Sequence, residues 1–312
     1  MIKKFKKVIL ISDRQADLDF LNLLAKKLDL DFSNYSNLAA NPVIEEDYLV
    51  FVDSSSEQLF IQYEQYTRNL RQIYSHFISD DQIHNQRYVP RSHTFAGFIQ
   101  RGESSIEELV NQYTLAIQSP SIELLSLSPI NFKTINFTKT NQKLQAIEKV
   151  AEDLRDENVG ERIIAIVSNA VDEIVMNSMF DSKVNDIGEQ VYRYTPRTAV
   201  FNLKNKSSVA LKYAISSEYI ILSSTDYFGS FDKEKFYDYI ARIKTQKDFS
   251  RAEVGAGLGL AQIFLSGGSV FLYCEPGKKT EVFVLFKKTN SVAELKSHTK
   301  FITSSMAIKE VA

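Results

Sequence analysis

The sequence predicts two domains: an α/β domain with a doubly wound parallel sheet, followed by an α+β domain in which helices cover a mixed sheet. The chain has 312 residues, which is too long for one small core. In the first part, short apolar runs alternate with helical patterns. In the later part, the predicted strands cluster apart from the helices, as they do in α+β domains.

The first domain is predicted from apolar runs of the kind that form buried parallel strands. These runs lie at residues 7–12, 48–52, 72–78 and 95–99. Residues 16–28 follow the first run and carry one apolar stripe at helical spacing. A closing amphipathic helix is predicted at residues 105–117, with Ser104 or Ser105 as its N-cap.

The domain junction is predicted where proline and serine accumulate, at residues 118–129. We assign residues 1–119 to the first domain, 120–130 to a linker, 131–290 to the second domain and 291–312 to a C-terminal tail. The strands predicted for the second domain lie at residues 131–138, 209–215, 219–224, 270–274 and 281–287, and its first two helices at 141–156 and 161–180.

Composition excludes several classes of protein. The hydrophobic content of 44% and charged content of 24% are typical of globular domains, and a net charge of −2 gives no reason to expect direct nucleic-acid or membrane-surface binding. Cys274 is the one cysteine, so neither an internal disulfide nor a multi-thiolate metal site is expected. No apolar run approaches the roughly 20 residues needed to span a bilayer. We therefore expect a cytoplasmic protein.

A line of polar residues marks the second predicted helix of the second domain. Asn169, Glu173 and Asn177 recur every four residues, so they share one helix face beside an apolar stripe. A solvated face is the simpler interpretation of such spacing taken alone, because exposed helix faces are normally polar. A functional site is the alternative.

A glycine motif at residues 255–260 (GAGLGL) precedes an apolar helix through Leu265. Alternate glycines let the backbone approach a ligand closely, and the start of the following helix favours phosphate. The motif follows the polar segment 245–253 rather than a strand, so a dinucleotide-binding turn is not expected.

Together these motifs resemble those of the GHKL ATPases, in the form found in anti-sigma-factor serine kinases. Residues 171–178 (VDEIVMNS) resemble the N-box, 255–260 the second glycine box, and 224–232 (STDYFGSFD) stand where the first is expected. The resemblance covers roughly residues 129–289 and implies a Bergerat-type sandwich that binds ATP and magnesium.

The resemblance also implies a role for individual residues. Glu173 corresponds to the general base that acts on an attacking hydroxyl, Asn177 to the magnesium ligand, and Asp226 to the acceptor of the adenine amino group. Nucleotide contacts are implied for Gly229, Gly255, Gly257 and Gly259. Position in the presumed lid adds Lys247 and Arg251 as cations for the phosphates.

The chain departs from the family in two places. The first glycine box, D-x-G-x-G in the family, is Asp226-Tyr227-Phe228-Gly229-Ser230, in which both expected glycines are replaced. The N-box helix is followed by an insertion at residues 181–206, where the family turns quickly into its sheet.

The first domain resembles the receiver domains of response regulators. The resemblance lies in residues 8–21 (VILISDRQADLDFL), 48–55 (YLVFVDSS) and 95–109 (FAGFIQRGESSIEEL). It implies Asp53 as phosphoacceptor and magnesium ligand, Asp13 as a second magnesium ligand and Ser79 as the switch hydroxyl. The usual acidic pair is reduced to Ser12-Asp13, and Arg101-Gly102 replaces Lys-Pro, so a pseudo-receiver used for dimerisation or docking is the alternative.

These resemblances imply a two-domain regulator of signal transduction. In this interpretation, a receiver-like input controls an ATP-binding kinase domain that phosphorylates serine or threonine on a partner related to sigma factors or anti-sigma antagonists, and so regulates transcription. A homodimer formed through the receiver is one further expectation. The rival interpretation is a non-catalytic interaction module, either gated by nucleotide or free of it.

Overall fold

The computed structural model describes residues 5–38, 42–45, 48–54, 57–67, 74–80, 95–118, 130–185, 187, 189–192, 194–203, 208–232, 236–237 and 256–306. The chain divides into two units, taken in turn below. The first unit comprises Met1–Pro120 together with His298–Thr303. The second comprises Ser121–Ser297 together with Ser304–Ala312. Of the predicted linker 120–130, only residue 130 lies among the described residues.

The first unit is built on a parallel sheet. Its parallel strands are β1 (Lys7–Ile11), β2 (Asp31–Tyr35), β3 (Tyr48–Asp53), β4 (Tyr74–Ser79) and β5 (Phe95–Gln100). Their order is β2-β1-β3-β4-β5, and every neighbouring pair is parallel. The parallel sheet expected from the apolar runs is therefore observed, with β2 as an additional edge strand.

Three helices accompany this sheet: α1 (Gln15–Leu28), α2 (Glu57–Thr67) and α3 (Ile106–Gln118). The stripe of α1 buries Phe20, Leu21 and Leu24, because residues three and four apart share a helix face. Phe20 meets Phe51 of β3 and Tyr113 of α3 edge to face. The core of the unit thus lies between the sheet and its flanking helices.

The segment predicted as a C-terminal tail, residues 291–312, instead forms helix α7 (Val292–Ser297) and strand β11 (Lys300–Met306). Within the first unit, β11 pairs antiparallel with β5. Phe301 and Ile302 are fully buried there. Gly97 makes the pairing possible, since a Cβ at that position would overlap the carbonyl oxygen of Ile302. Burial of these two side chains explains why residues 300–306 of this segment form a strand.

The second unit contains an antiparallel series of strands. They are β6 (Lys133–Phe137), β7 (Val209–Ile215), β8 (Tyr219–Asp226), β9 (Ser269–Glu275) and β10 (Lys279–Lys287), in the order β9-β10-β8-β7-β6. All four pairings among them are antiparallel. The predicted hairpin between β7 and β8 is present, and Ser216 closes its turn by accepting a hydrogen bond from the Tyr219 amide.

The helices of the second unit are α4 (Lys143–Asp156), α5 (Glu161–Met176) and α6 (Ala256–Leu265), besides α7. A π-helical turn, Asn177–Asp181, continues α5. Residues 161–181 are long and apolar enough to cross a membrane by composition, but 67% of the most apolar window is buried inside the protein. Core helices of soluble proteins have the same character, so this is weak support for a membrane span.

Candidate functional site

The polar line on α5 runs from solvent into the interior. Asn169 is exposed, Glu173 is half-buried and Asn177 is buried, with 8% of its surface exposed. A solvated helix face would be exposed along its whole length. Asn177 opens the π-helical turn, and such turns occur frequently at functional sites. The solvated-face interpretation therefore holds for Asn169 and not for Asn177.

The end of α5 is joined to strand β8 by a buried hydrogen bond. The hydroxyls of Ser178 and Ser224 lie 2.8 Å apart. Ser178 follows Asn177 directly, and Ser224 precedes Asp226 by two residues. The structure thereby brings together the helix end that carries Asn177 and the strand end that carries Asp226.

Glu173 occupies an environment that alters its titration. Burial raises the pKa of the Glu173 carboxyl, and the negative charge of Asp172 raises it further. Asp181 acts in the same direction, whereas Arg197 and Lys143 lower the pKa. A carboxylate with a raised pKa in a partly buried position has the character expected of a general base.

Both neighbouring acids have a cation of their own. Lys143 Nζ lies 2.6 Å from Oδ1 of Asp172, as a charge contact rather than an aligned hydrogen bond, and Arg197 Nη2 lies 2.7 Å from Oδ2 of Asp181. In the part of the chain that the structure describes, the Glu173 carboxylate makes no ion pair of this kind. Glu173 is thus the carboxylate that remains available for proton transfer.

The glycine motif packs directly on Glu173. A Cβ at Gly259 would overlap Oε2 of Glu173 and lie 2.5 Å from its Cδ, so the Glu173 carboxyl can occupy this position only because residue 259 has no side chain. Helix α6 begins at Ala256, inside the glycine motif rather than after it as expected, so Gly257 and Gly259 lie in its first turn. This turn belongs to a helix that packs on α5. Gly255, Lys247 and Arg251 lie outside the described residues.

Asp226 ends β8 and is almost fully buried. Its Oδ1 accepts hydrogen bonds from the amides of Phe228 at 2.9 Å and Gly229 at 3.4 Å. Burial raises the pKa of Asp226 to about 6, although these amides and Thr280 act in the opposite direction. The carboxylate therefore stabilises the backbone turn that follows it, as an aspartate at a turn commonly does.

Gly229 adopts a backbone conformation in the same turn that a residue with a side chain could not adopt without strain. Its φ of 60° lies in the left-handed region, and a Cβ there would overlap the carbonyl oxygen of Glu275. Its own carbonyl accepts a hydrogen bond from the Gly277 amide at 3.1 Å. Gly229 is thus required for the backbone conformation of the altered first glycine box.

The predicted phosphoacceptor of the first unit, Asp53, ends β3 and is paired with two arginines. Arg14 Nε lies 3.1 Å from its Oδ2, and Arg101 Nη2 lies 3.3 Å from its Oδ1. Asp13, predicted to share a magnesium ion with Asp53, is exposed. Among the described residues of the chain, no group of three or more His, Cys, Asp or Glu side chains is arranged to hold a metal ion.

Further charges complete this network in the first unit. Arg101 Nη2 lies 2.5 Å from Oδ2 of Asp17, and Ser12 donates a hydrogen bond to the same carboxylate at 2.8 Å. Asp80 pairs with both Arg14 and Arg101. Burial opposes the charge of Asp80, but the two arginines outweigh it and lower its pKa. The resemblance to receiver domains implies no role for Arg14, Asp17 or Asp80. Their separation in the sequence does not indicate that these side chains meet.

The known proteins that this chain resembles are solved structures. No protein-family model matches the chain, and no curated protein matches it. Among solved structures, a chain in the crystal structure of the SiaB–SiaC complex from Pseudomonas aeruginosa is similar over 52% of this chain and 93% of its own length, with 11% sequence identity and a TM-score of 0.30. A similarity at this level assigns no function to the chain.

Proposed function

We propose that the second unit is an ATP-binding GHKL-type domain that phosphorylates serine or threonine on a regulatory protein. The observation that carries this proposal is the position of Glu173. Its half-buried carboxylate has a raised pKa, makes no ion pair among the described residues, and lies one helical turn before the buried Asn177. The Ser178–Ser224 hydrogen bond adds Asp226 to the same neighbourhood.

The residues fit the cofactors that the resemblance implies. The side-chain oxygen of Asn177 is a hard donor of the kind magnesium accepts, and magnesium at nucleotide sites takes few protein ligands because phosphates supply others. The first turn of α6, next to Glu173, has the positive end of a helix dipole, which favours phosphate. Bound ATP and magnesium would supply the phosphoryl group and offset its charge.

In the proposed reaction, the part played by this chain is proton transfer and orientation. Glu173 accepts the proton of the attacking hydroxyl, and burial of its side chain keeps its basicity above that of an ordinary carboxylate. Gly259 lets the first turn of α6 lie against that carboxylate. The partner is a regulatory protein of the sigma-factor or anti-sigma-antagonist class, and the location is the cytoplasm.

For the first unit we infer a pseudo-receiver that serves docking. The strand order β2-β1-β3-β4-β5 is a doubly wound order, and Asp53 lies at the carboxyl end of its central strand, where such sheets bind ligands. A phosphoacceptor must offer an oxygen to the phosphodonor, but both oxygens of Asp53 face guanidinium groups. Arg14 and Arg101 supply the positive charge that magnesium would otherwise supply.

A second candidate function for the second unit is a non-catalytic interaction module. It is favoured by Asp226, whose Oδ1 already accepts amides of its own turn, and by the side chain of Phe228 in the altered glycine box. Such a module would bind its partner without phosphorylating it. The two candidates differ in the expected effect of ATP.

The proposal is tested by calorimetric titration with ATP and magnesium and by transfer of labelled phosphate to a partner protein. Asn177→Ala is expected to weaken binding, whereas Asn169→Ala, on the same helix face but exposed, is the matched control and should bind normally. Glu173→Gln is expected to retain ATP and lose transfer, because the amide cannot accept a proton. Absence of binding heat at millimolar ATP would favour the non-catalytic module.

A further inference from the structure

Exposed apolar side chains of the second unit concentrate around one segment, the insertion at residues 181–206. Among the described residues of this unit, the exposed large apolar side chains are Leu144, Ile187, Val191, Tyr194, Val200 and Tyr227. Four of these six belong to the insertion itself. Single exposed apolar side chains are ordinary on a protein surface, whereas a group of them in one region indicates an interaction site.

The other two exposed side chains lie on segments that are hydrogen-bonded to the insertion. Leu144 follows Thr140 by four residues, and the Thr140 hydroxyl donates to a carbonyl of the insertion at 2.8 Å. Tyr227 precedes Ser230 by three residues, and the Ser230 hydroxyl donates to another carbonyl of the insertion at 2.6 Å. Every exposed large apolar side chain among the described residues of this unit is therefore on the insertion or on a segment attached to it.

The first part of the insertion is a small hairpin that carries Ile187 at its turn. Val184 and Gln190 form an antiparallel bridge. The Asn185 side chain holds the turn between them, because its Oδ1 accepts hydrogen bonds from the amides of Ile187 at 3.1 Å and Glu189 at 2.9 Å. The Ile187 side chain is nevertheless 79% exposed. An apolar side chain that a fixed turn keeps in water gains free energy when a partner covers it.

The later part of the insertion is also held in place. Phe201 stacks on Tyr192 with ring centroids 4.5 Å apart and meets Phe180 edge to face at 5.2 Å. Val200, next to Phe201 in the chain, is 63% exposed. The exposed side chains thus stand on a backbone that aromatic packing fixes, and a surface that is already ordered loses little conformational entropy when a partner binds.

The insertion is basic, although the chain as a whole has a net charge of −2. Its sequence contains more basic than acidic residues: Lys183, Arg193, Arg197, Lys204 and Lys206 against Asp181, Asp186 and Glu189. In the part of the chain that the structure describes, Lys183 Nζ contacts no carboxylate; it lies 5.1 Å from the ring centroid of Tyr192 and donates to the hydroxyl of that residue at 3.3 Å. A symmetric dimer would place this basic segment against its own copy, so an acidic partner fits it better.

We propose that the four exposed apolar side chains of the insertion form a docking surface for the regulatory protein that carries the acceptor hydroxyl, and that this surface binds an apolar segment flanked by acidic residues. The place of the insertion in the chain supports this role, because it begins at Asp181, the last residue of the π-helical turn that Asn177 opens. The inference rests on the proposed function for the phosphorylation of the docked protein, and on the exposed side chains and the basic charge for the docking itself.

The first experiment selects random peptides displayed on phage against the full chain without nucleotide. The selected peptides are expected to contain apolar residues flanked by Asp or Glu. The affinity of the best peptide is then measured by fluorescence anisotropy. Ile187→Asn and Val200→Asn are each expected to weaken binding at least about tenfold, because each removes an apolar side chain that the peptide covers. Lys183→Gln is expected to weaken it severalfold.

The matched controls are Ile61→Asn and Val43→Asn, which make the same changes at exposed positions of the first unit and should bind the peptide as wild type does. The inference is overturned if the controls lose binding and the insertion variants do not, if the selected peptides lack acidic residues, or if no peptide is selected that the insertion variants lose. A wild-type dimer that Ile187→Asn dissociates in sedimentation analysis would also overturn it, because a second copy would then occupy the surface.

The second experiment adds serine residues beyond either end of the selected peptide and measures phosphate transfer from labelled ATP with magnesium. Ile187→Asn is expected to raise KM for the peptide at least about tenfold with little change in kcat, since docking away from the reacting atoms stabilises the bound substrate and the transition state equally. If ATP does not bind but the insertion variants still lose the peptide, the proposed function fails and the docking surface stands. If wild type phosphorylates the peptide and the insertion variants have an unchanged KM, the docking surface fails and the proposed function stands.

Discussion

Asp226 provides the sharpest test of the electrostatics in the second unit. Its carboxyl is buried at the end of β8, and burial raises its pKa to about 6, against 3.8 for a free side chain. A raised carboxyl pKa means that the folded protein holds the proton more tightly than the unfolded chain. This contribution to stability is fully present below about pH 3.8 and is lost as the pH rises through about 6.

The magnitude follows from the two values. The difference between about 6 in the folded protein and 3.8 in the free side chain corresponds to about 3 kcal/mol of unfolding free energy. Asp226→Asn removes the titration and keeps nearly the same shape. The hydrogen bonds that the ionised carboxylate accepts are already contained in the pKa of about 6, because they lower it from the higher value that burial alone would give. The unfolding free energy of Asp226→Asn minus that of wild type should therefore rise by about 3 kcal/mol between a pH below 4 and pH 7.

Urea denaturation of both proteins across this pH range measures the difference directly. Asp232→Asn is the matched control, because Asp232 lies six residues away in an exposed position. It removes one carboxylate from the surface of the same unit and so measures the pH dependence that a loss of surface charge produces by itself. A curve for Asp226→Asn that is no steeper than that of Asp232→Asn would refute the assignment of a raised pKa to Asp226 and with it the idea that the buried carboxylate is held at a cost to stability.

Three further outcomes are expected. Gly259→Ala should change the unfolding free energy of the second unit by less than about 1 kcal/mol, because the flexible carboxyl of Glu173 can move aside and alanine favours the helix; a loss of several kcal/mol in urea denaturation would contradict this. Acetyl phosphate with magnesium should add no phosphate to Asp53, and intact-mass spectrometry showing that adduct would contradict the pseudo-receiver. Phe301→Ala should cost about 3–5 kcal/mol of unfolding free energy in the first unit; an unchanged denaturation midpoint would contradict its place in that core.

The sequence predicts the elements whose hydrophobic pattern is strong. Strands β1, β3 and β5 are continuous apolar runs and were located to within one or two residues. Helix α5 was located from its apolar stripe, and the stripe residues are indeed buried. In these segments local periodicity and tertiary burial agree, so the sequence alone is sufficient.

Elements were missed where the local pattern is weak. Strand β2 (DFSNY) lies at the edge of its sheet and is mostly polar, so it lacks the apolar run of its neighbours. Among the residues of β11 whose side chains are described, Phe301 and Ile302 are the fully buried apolar ones, and the partner strand β5 is about 200 residues away in the chain. Pairing over such a separation depends on tertiary contacts, for which a single sequence carries no signal.

Site prediction had the same limit in the first unit. The resemblance assigned Asp53 and noted Arg101, but the carboxylates of Asp17 and Asp80 that also bind Arg101 come from other segments. Arg14 stands next to the expected magnesium ligand Asp13, but adjacency in the sequence does not indicate which of the two side chains faces Asp53.

The polar line of α5 shows how structure decides between two interpretations that spacing leaves open. Residues four apart on a helix share a face, but the face can leave the solvent when the helix end enters the core. Here Asn169 stays exposed, Glu173 is half-buried and Asn177 is buried. Burial disfavours the charged form of a carboxyl group, and this raises the pKa of Glu173. The gradient along one face therefore separates Asn169, which has ordinary solvation, from Glu173 and Asn177, whose surroundings differ from those of a solvated helix face.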